Sequence, residues 1–524
     1  MKLAFKLALC VLFSLPLASA QVVQTAQGKV SGMKAPDSTV SVFKGIPFAA
    51  PPVGDLRWHA PLPPASWQGT RKATEFAASC MQTKSGERLP WSKEFMTQNQ
   101  ISEDCLYLNI WTPQASAAAN LPVIVFIHGG GYSEGSGAID VYDGAHLAPK
   151  GAVVVTINYR LGVFGFLADS ELTAESEHHS SGNYGLLDQI EALKWVNKNI
   201  AGFGGNPRNI TIWGQSAGAF SVAALVASPL AKGLFEQAQA DSGIGIAGLP
   251  TSSLSAAEAE GVKLLAEHHA ASIKELRALP AEALMPDPKA PPAAALRFAP
   301  DVDGWVLPDL PGVMNAKGTD NDVPMITGYN TGDSSLMAFG PVIDTVEAYR
   351  HMAETKYGAM AEDFLKVYPA ASADQVKSML ALSGQDRNRV SQYMWASQRV
   401  KSHHAPVYIY YFDRAIPWPQ HPEFGAFHTS EIPYFFENLK VLDRPWEKVD
   451  FALSDEVSSY LVNFAAKGDP NAAGLTPWPK ADLSTPQTME LGAHSGAIPL
   501  ADPVRVDFWT RYFNSPASKN ASPF

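Results

Sequence analysis

The feature that most constrains this chain is Gly214-Gln215-Ser216-Ala217-Gly218, a serine flanked by glycines between two apolar segments. Residues 210–213 are β-branched or aromatic and predict a buried strand, and residues 217–227 are small and apolar and predict a buried helix. A sharp strand-to-helix turn admits only small residues two positions either side of the serine, and it lifts the hydroxyl clear of the sheet. The pattern predicts a nucleophile at Ser216, with the Ala217 amide facing the place where an oxyanion would form.

The same short motif occurs twice, so its surroundings decide the assignment. Gly131-Tyr132-Ser133-Glu134-Gly135 has the same spacing, but Ser136-Gly137 follows it instead of a helix. We therefore predict that Ser133 is a loop residue. A serine in an ordinary turn is the alternative at Ser216, and the motifs described below weigh against it.

Charge and patterning narrow the class of protein. The 524 residues carry a formal net charge of −11, and no run of lysine or arginine forms a basic patch, which argues against a nucleic-acid partner. Apolar segments of strand length alternate with helical patterns before Ser216. This alternation favours an α/β fold with a mostly parallel sheet.

The first twenty residues predict a secretory signal peptide. Lys2 and Lys6 supply the positive end, residues 7–17 the apolar core, and Ala18-Ser19-Ala20 the cleavage site. Cleavage after Ala20 would leave residues 21–524, which we interpret as a single domain. The apolar core is too short for a convincing membrane span, and no later segment is long and apolar enough. We expect an exported protein, periplasmic or secreted.

The mature chain contains two cysteines, Cys80 and Cys105. In an exported protein two cysteines favour one disulfide, here closing a loop that contains Trp91. Two free buried thiols are the alternative.

Several stretches together resemble the type-B carboxylesterases, the cholinesterase-like branch of the α/β hydrolases, as a bacterial-type secreted member. They are residues 43–52, Arg57-Trp58, residues 102–111 and the Ser216 motif, and the similarity extends from about Gly28 to the C-terminal region. The resemblance implies an α/β-hydrolase fold, with a mostly parallel central sheet flanked by helices and helical insertions over the active site. It implies that Cys80 and Cys105 are the family's first disulfide pair. It also implies two buried ion pairs, Arg57 with Glu103 and Arg160 with Asp188.

A glycine-rich loop, His128-Gly129-Gly130-Gly131-Tyr132, follows the apolar run 123–127. Consecutive glycines let the backbone approach a substrate closely and present bare amides. The family pattern implies an oxyanion hole made by Gly130, Gly131 and Ala217. A phosphate-binding loop is a poor alternative because no Gly-Lys-Ser/Thr follows. We interpret His128 as a residue that shapes the loop.

The resemblance also implies the partners of Ser216. The acid is Asp333, in the segment after the strand 323–328, although this chain has aspartate where glutamate is usual and Gly332 where aspartate is usual. The histidine is His428, and Ser242 and Glu431 are expected beside the triad. The order serine, acid, histidine is that of the α/β hydrolases.

These residues predict hydrolysis of small-molecule carboxylic esters through an acyl-enzyme, without cofactor, metal or obligate protein partner. One alternative is hydrolysis of a related acyl bond, such as a carbamate, a lactone or a natural-product ester. Another is a non-catalytic binding protein, but such family members typically lose the serine or the histidine. The histidine pairs 178–179, 268–269 and 403–404 lack metal-ligand spacing and are expected at the surface.

Two helices outside the core are predicted from local signals. Ser255 with Glu258 three residues on predicts a helix start, followed by helix to about Ala270. Residues 454–466 predict an amphipathic helix that ends at Gly468. We interpret the region after Gly243 as a helical insertion over the active site, not as a separate domain.

Overall fold

A computed structural model describes residues 21–84, 86–246, 251–286, 296–333 and 343–520. The predicted signal peptide lies outside these residues, as does the end of the segment that carries Asp333.

A mixed sheet forms the centre of the described chain, and its strands are numbered here in chain order. They are β1 (Met33–Lys34), β2 (Ser41–Pro47), β3 (Tyr107–Thr112), β4 (Leu121–Ile127), β5 (Val153–Ile157), β6 (Gly205–Gln215), β7 (Gln237–Asp241), β8 (Met325–Asn330), β9 (Val407–Phe412), β10 (Gln487–Leu491) and β11 (Gly496–Pro499). Across the sheet the order is β11-β10-β9-β8-β7-β6-β4-β5-β3-β2-β1.

The middle of this sheet is parallel and its two edges are antiparallel. Neighbouring strands are parallel from β10 through to β5, while β11 at one edge and β3, β2 and β1 at the other run antiparallel to their neighbours. The predicted mostly parallel sheet is therefore confirmed. Because parallel strands end at one edge, the loops after β4, β6, β7, β8 and β9 open on the same side of the molecule.

Helices cover both faces of the sheet. They are α1 (Gly162–Phe166), α2 (Ser170–Glu175), α3 (Tyr184–Asn199), α4 (Ala217–Ala227), α5 (Leu254–Glu267), α6 (Ile273–Arg277), α7 (Pro311–Lys317), α8 (Val346–Tyr357), α9 (Ala361–Val367), α10 (Ala373–Ser402), α11 (Ile432–Phe435), α12 (Lys448–Lys467) and α13 (Pro503–Phe513).

The alternation of side chains along β4 shows how the two layers are built. Val123, Val125 and Ile127 belong to the core that includes α3 and α4, whereas Ile124 and Phe126 belong to the core that includes α12. Successive side chains of a strand point to opposite faces, so a strand covered on both faces is apolar throughout. Burying each such side chain contributes roughly 1.5–3 kcal/mol.

Two helix starts differ from the predictions. Helix α5 begins two residues early, because the Ser253 hydroxyl, not that of Ser255, accepts a hydrogen bond from the Ala256 amide. Helix α12 begins at Lys448 instead of residue 454, capped by Glu447 and Asp450. Its predicted end is confirmed, with Gly468 in the left-handed conformation at φ 71°.

The predicted disulfide and the two predicted ion pairs are present. Cys80 and Cys105 form a disulfide. Arg57 donates two hydrogen bonds of 2.7 Å to Glu103, and Arg160 pairs with the fully buried Asp188 at 2.7 Å. Among the residues described, no helix combines the length and apolar character that a bilayer crossing requires.

Candidate active site

Ser216 sits in the sharp turn that joins β6 to α4. Its backbone has φ 57° and ψ −123°, a conformation that a residue with a side chain adopts only when its surroundings impose it. Two backbone hydrogen bonds hold the turn: the Ser216 amide donates to the Asp241 carbonyl at 2.9 Å, and the Phe220 amide donates to the Ser216 carbonyl at 3.0 Å.

The two flanking glycines are required by close packing. A side chain on Gly214 would lie 2.2 Å from the Gly218 carbonyl oxygen, and one on Gly218 would lie 2.0 Å from the Ile127 carbonyl oxygen. The glycine spacing of the motif thus follows from the approach of β6, α4 and the end of β4 to one another. Ala217 opens α4, and the first amides of a helix have no intrahelical acceptor, so they can serve an anion.

The glycine-rich loop lies directly against this turn. A side chain on Gly129 would meet the Ser216 Cβ at 3.0 Å, which places the loop backbone beside the serine. Gly130 and Gly131 have φ of 108° and 62°, values that favour glycine. The Gly130 carbonyl accepts hydrogen bonds from the Ser133 and Glu134 amides at 3.0 Å, so the loop folds back into a tight turn.

Asp333 and His428 form a buried pair. The Asp333 Oδ1 lies 2.7 Å from the His428 Nδ1, and both side chains are almost fully buried. The Asp333 Oδ2 accepts hydrogen bonds from the Ser242 hydroxyl at 2.8 Å and the Asn330 amide at 2.7 Å. Because the carboxylate accepts at Nδ1, that nitrogen carries the proton in the neutral imidazole and Nε2 is the nitrogen that can accept one.

The Nε2 side of His428 faces the turn of the serine. The Nε2 of the Gln215 side chain lies 3.3 Å from the His428 Nε2, and Gln215 immediately precedes Ser216. The structure therefore brings Asp333, His428 and the Gln215-Ser216 turn together at the carboxyl ends of β6, β8 and β9.

Ser242 and Glu431 occupy different positions around the pair. Ser242 contacts Asp333 directly, as expected. Glu431 does not; it accepts a hydrogen bond from the Asn330 side chain, which in turn donates to the Phe427 carbonyl at 2.9 Å. Burial and the neighbouring carboxylates of Asp241 and Asp333 raise the pKa of Glu431 well above its usual value.

Asp241 adds another buried carboxyl group, one strand away from Gln215. In the β6–β7 register the two residues lie opposite each other, and the side chains of Trp213 and Gln239 donate to the Asp241 carboxylate. Burial raises the pKa of Asp241 to about 7.

His128 and His403 are both buried, and neither belongs to a metal cluster. Burial lowers the pKa of His128 to about 4, and its ring stacks on Tyr159 with the centroids 4.5 Å apart, as expected for a residue that shapes the loop. His403 was expected at the surface, but it contacts Asp320 at 2.5 Å because it follows α10 into the core. No group of three histidine, cysteine or acidic side chains with metal-binding geometry occurs in the described parts of the chain.

The sequence reasoning missed three contacts of the site: Asn330 with Asp333, Gln215 with His428, and Trp91 with His428. Asn330 could have been found, because it lies two residues after the predicted strand 323–328, at the same edge as Asp333; the observed strand runs further and ends at Asn330. The contact of Trp91 with His428 could not have been found, because the two residues are 337 positions apart in the chain.

Comparisons with known proteins agree with this architecture. The profile described as the carboxylesterase family matches residues 19–509. The chain is 37% identical to the fumonisin B1 esterase of Sphingopyxis macrogoltabida, over 91% of this chain and 87% of that protein. It is 36% identical to the para-nitrobenzyl esterase of Bacillus subtilis (strain 168), over 90% and 94% respectively. A solved structure of a PNB esterase superposes with a TM-score of 0.78 at 32% identity, covering 94% of this chain and 99% of that one.

The family match spans nearly the whole chain, and the matched structures share its sheet and helices. This chain belongs to the carboxylesterase family, has the α/β-hydrolase fold and is a carboxylic ester hydrolase.

Proposed function

We propose that the enzyme hydrolyses small-molecule carboxylic esters through a covalent acyl-enzyme on Ser216, with His428 as general base and Asp333 as the acid of the triad. The observation that carries the proposal is the buried Asp333–His428 pair, whose imidazole faces the turn of Ser216.

In the acylation step the Ser216 Oγ attacks the ester carbonyl carbon and its proton passes to the His428 Nε2. The carbonyl electron pair moves to oxygen, which gives a tetrahedral oxyanion. Asp333 holds the proton on Nδ1 and stabilises the imidazolium, while Ser242 and Asn330 fix the orientation of the Asp333 carboxylate. When the oxyanion collapses, the ester C–O bond breaks and the alcohol leaves with the proton from Nε2.

The oxyanion is stabilised by the amides of Gly130, Gly131 and Ala217 in this mechanism. The glycine-rich loop lies against Ser216, and Ala217 opens α4 with an amide that has no intrahelical partner. Fixed amides aimed at a developing charge typically contribute 10²- to 10³-fold each. Water then attacks the acyl-enzyme with His428 again as base, which releases the acid and restores Ser216.

The relatives narrow the substrate only to esters. One is named for fumonisin B1 and another for a para-nitrobenzyl ester, so we propose a small-molecule ester as the substrate of this enzyme too. A carbamate, a lactone or a natural-product ester fits the same chemistry. A non-catalytic binding protein is disfavoured because Ser216 and His428 are both present.

The nucleophile is tested by comparing Ser216→Ala with Ser133→Ala, the serine of the second motif, which is exposed in a turn. We expect Ser216→Ala to abolish hydrolysis of p-nitrophenyl acetate without loss of fold, and Ser133→Ala to keep most of it. Mass mapping of a fluorophosphonate adduct should identify the peptide that contains Ser216. An adduct on Ser133, or an active Ser216→Ala enzyme, would overturn the proposal.

We also propose that the enzyme is exported and that the mature chain, residues 21–524, is one α/β-hydrolase domain. The disulfide supports an oxidising compartment, because such bonds persist mainly outside the cytosol. N-terminal sequencing of the mature protein should give Gln21 as the first residue. A mature protein that still begins at Met1 would contradict export by cleavage.

A further inference from the structure

The disulfide loop, defined here as residues 80–105, reaches the histidine segment through Trp91. The Trp91 indole N–H donates to the His428 carbonyl at 3.1 Å and to the Thr429 hydroxyl at 2.6 Å. A second contact lies alongside: the rings of Phe95 and Phe427 pack edge to face with centroids 5.9 Å apart. The loop thus touches the residues on both sides of His428.

Thr429 is a residue that needs such a restraint. Its φ of 82° lies in the left-handed region, which β-branched residues rarely adopt because the branched Cβ crowds the backbone. Such a conformation persists only where the surrounding structure imposes it. The Trp91 indole N–H contacts both the Thr429 hydroxyl and the preceding carbonyl, and the Thr429 hydroxyl itself donates to that carbonyl.

The direction of the His428 side chain depends on this peptide. On the N-terminal side of His428, the acid loop, defined here as residues 330–333, holds the histidine segment. The Asn330 side chain donates to the Phe427 carbonyl at 2.9 Å. The Gly332 amide donates to the Ala426 carbonyl at 2.9 Å. On the C-terminal side Trp91 holds the His428 carbonyl. A relaxation of φ at Thr429 would rotate that carbonyl and shift the imidazole relative to Asp333 and Ser216.

The same loop also holds the glycine-rich segment. The Gln82 side-chain amide and the Gly135 backbone exchange two hydrogen bonds of 2.9 Å, and Arg88 forms an ion pair with Glu134 at 2.7 Å. The described residues of the disulfide loop therefore contact both the glycine-rich segment and the histidine segment.

We propose that Trp91 is a positioning residue for His428, which keeps Thr429 in its left-handed conformation and thereby aims the imidazole at Ser216. The proposal rests on the proposed role of His428 as general base. Trp91 touches no reacting atom, so its effect is expected in kcat and not in substrate binding.

The first test compares Trp91→Phe with Trp67→Phe. Trp67 is also half-buried and also donates its indole N–H to a backbone carbonyl, that of Lys29 at 2.8 Å, in a small sheet near the N-terminus. Because a misplacement of ~1 Å can cost ~10²-fold, we expect Trp91→Phe to lower kcat on p-nitrophenyl acetate at least ~10-fold. KM should stay within about threefold in the same variant, since the proposed role concerns the orientation of His428 and not substrate binding. Trp67→Phe should leave both constants unchanged.

The second test is rescue. Glycine adopts positive φ without strain, so Thr429→Gly removes the tendency of the backbone to relax. In the Trp91→Phe background Thr429→Gly should raise kcat, whereas in the wild-type background it should leave kcat unchanged or lower it. A merely structural role for Trp91 predicts no gain in kcat, because a further glycine only lowers stability.

Controls separate this inference from the proposed mechanism. Retained activity in His428→Ala would overturn the mechanism itself. Loss of activity in His428→Ala, together with kcat within twofold of wild type in Trp91→Phe, would overturn only the role of Trp91.

If Trp91→Phe does not fold, as judged by circular dichroism, Thr429→Val is the second variant. It removes one acceptor of the indole and the hydrogen bond from the Thr429 hydroxyl to the His428 carbonyl, but it keeps the β-branch. It should lower kcat at least threefold, and wild-type kcat in it would overturn the proposal.

Discussion

Asp333 is one methylene shorter than the glutamate that is usual in the family, yet its carboxylate reaches the His428 Nδ1 at 2.7 Å. Gly332 provides a physical reason. A side chain at position 332 would lie 2.6 Å from the Ala426 carbonyl oxygen, so glycine lets the acid loop lie against the backbone of the histidine segment. Glycine at position 332 therefore permits a close approach of the two segments, which suits the shorter carboxylate at position 333.

The triad acid can be tested with a matched pair of substitutions. Asp333→Asn keeps the shape but cannot stabilise the imidazolium and favours the wrong tautomer, so we expect kcat on p-nitrophenyl esters to fall at least ~10²-fold, less than the ~10⁴-fold loss in the serine-protease template. Asp333→Glu should retain much more activity than Asp333→Asn, because the carboxylate charge remains. If Asp333→Asn stays within a few-fold of wild type, the acid is another residue.

At the level of single elements, the sequence predicts best the parts whose signals are local. Helix α4 has its predicted bounds, because a strained turn precedes it and Ser228 and Pro229 follow it. The buried strand predicted over residues 210–213 is likewise confirmed, as part of β6. In both cases the hydrophobic pattern and the residues that break it agree with the tertiary structure.

The start of α5 shows why a local signal can mislead. Ser255 and Glu258 have the spacing of a capping box, in which the glutamate reaches back to the cap residue. In the structure Glu258 instead accepts a hydrogen bond from the Thr173 hydroxyl at 2.6 Å, a contact with α2 that no local pattern records. Ser253 caps the helix instead.

In the candidate site too, some features could be predicted from the sequence and others depend on tertiary contacts. Ser216, Asp333 and His428 follow strands β6, β8 and β9, and the carboxyl ends of parallel strands meet at one edge, so their approach could be predicted. The contacts of Trp91 and Gln215 with His428 depend on how one loop packs against another. Those contacts join residues that are distant in sequence and carry no spacing rule.

For the whole molecule, the buried acids link stability to pH. Asp301 lies on the short strand Asp301–Val302, is fully buried and accepts a hydrogen bond from the Asn183 side chain at 2.8 Å. Burial, with the neighbouring carboxylate of Asp303, raises the pKa of Asp301 to about 8. The folded protein therefore keeps a proton on Asp301 at pH values where the unfolded chain, with an ordinary carboxyl pKa of ~3.9, has lost it.

This difference fixes the sign of the pH dependence. Between pH ~4 and pH 8 the folded state binds more protons at Asp301 than the unfolded state, so the free energy of unfolding falls as the pH rises through this window. The contribution of one such group is at most about 1.4 kcal/mol per pH unit. Below pH ~4 both states are protonated, and the penalty disappears.

Asp301→Asn removes the titration but keeps the oxygen that accepts from Asn183, so the variant should lose this part of the pH dependence. We expect the thermal midpoint of the variant, relative to wild type, to rise by at least ~2 °C between pH 5 and pH 8, given the usual relation of midpoint to free energy. The exposed Asp55 provides the matched control, since Asp55→Asn changes the same functional group where water solvates both charge states. Midpoints measured by circular dichroism at pH 5, 6, 7 and 8 would check this. An Asp301→Asn midpoint that stays parallel to wild type across that range would mean that folding does not raise the pKa of Asp301.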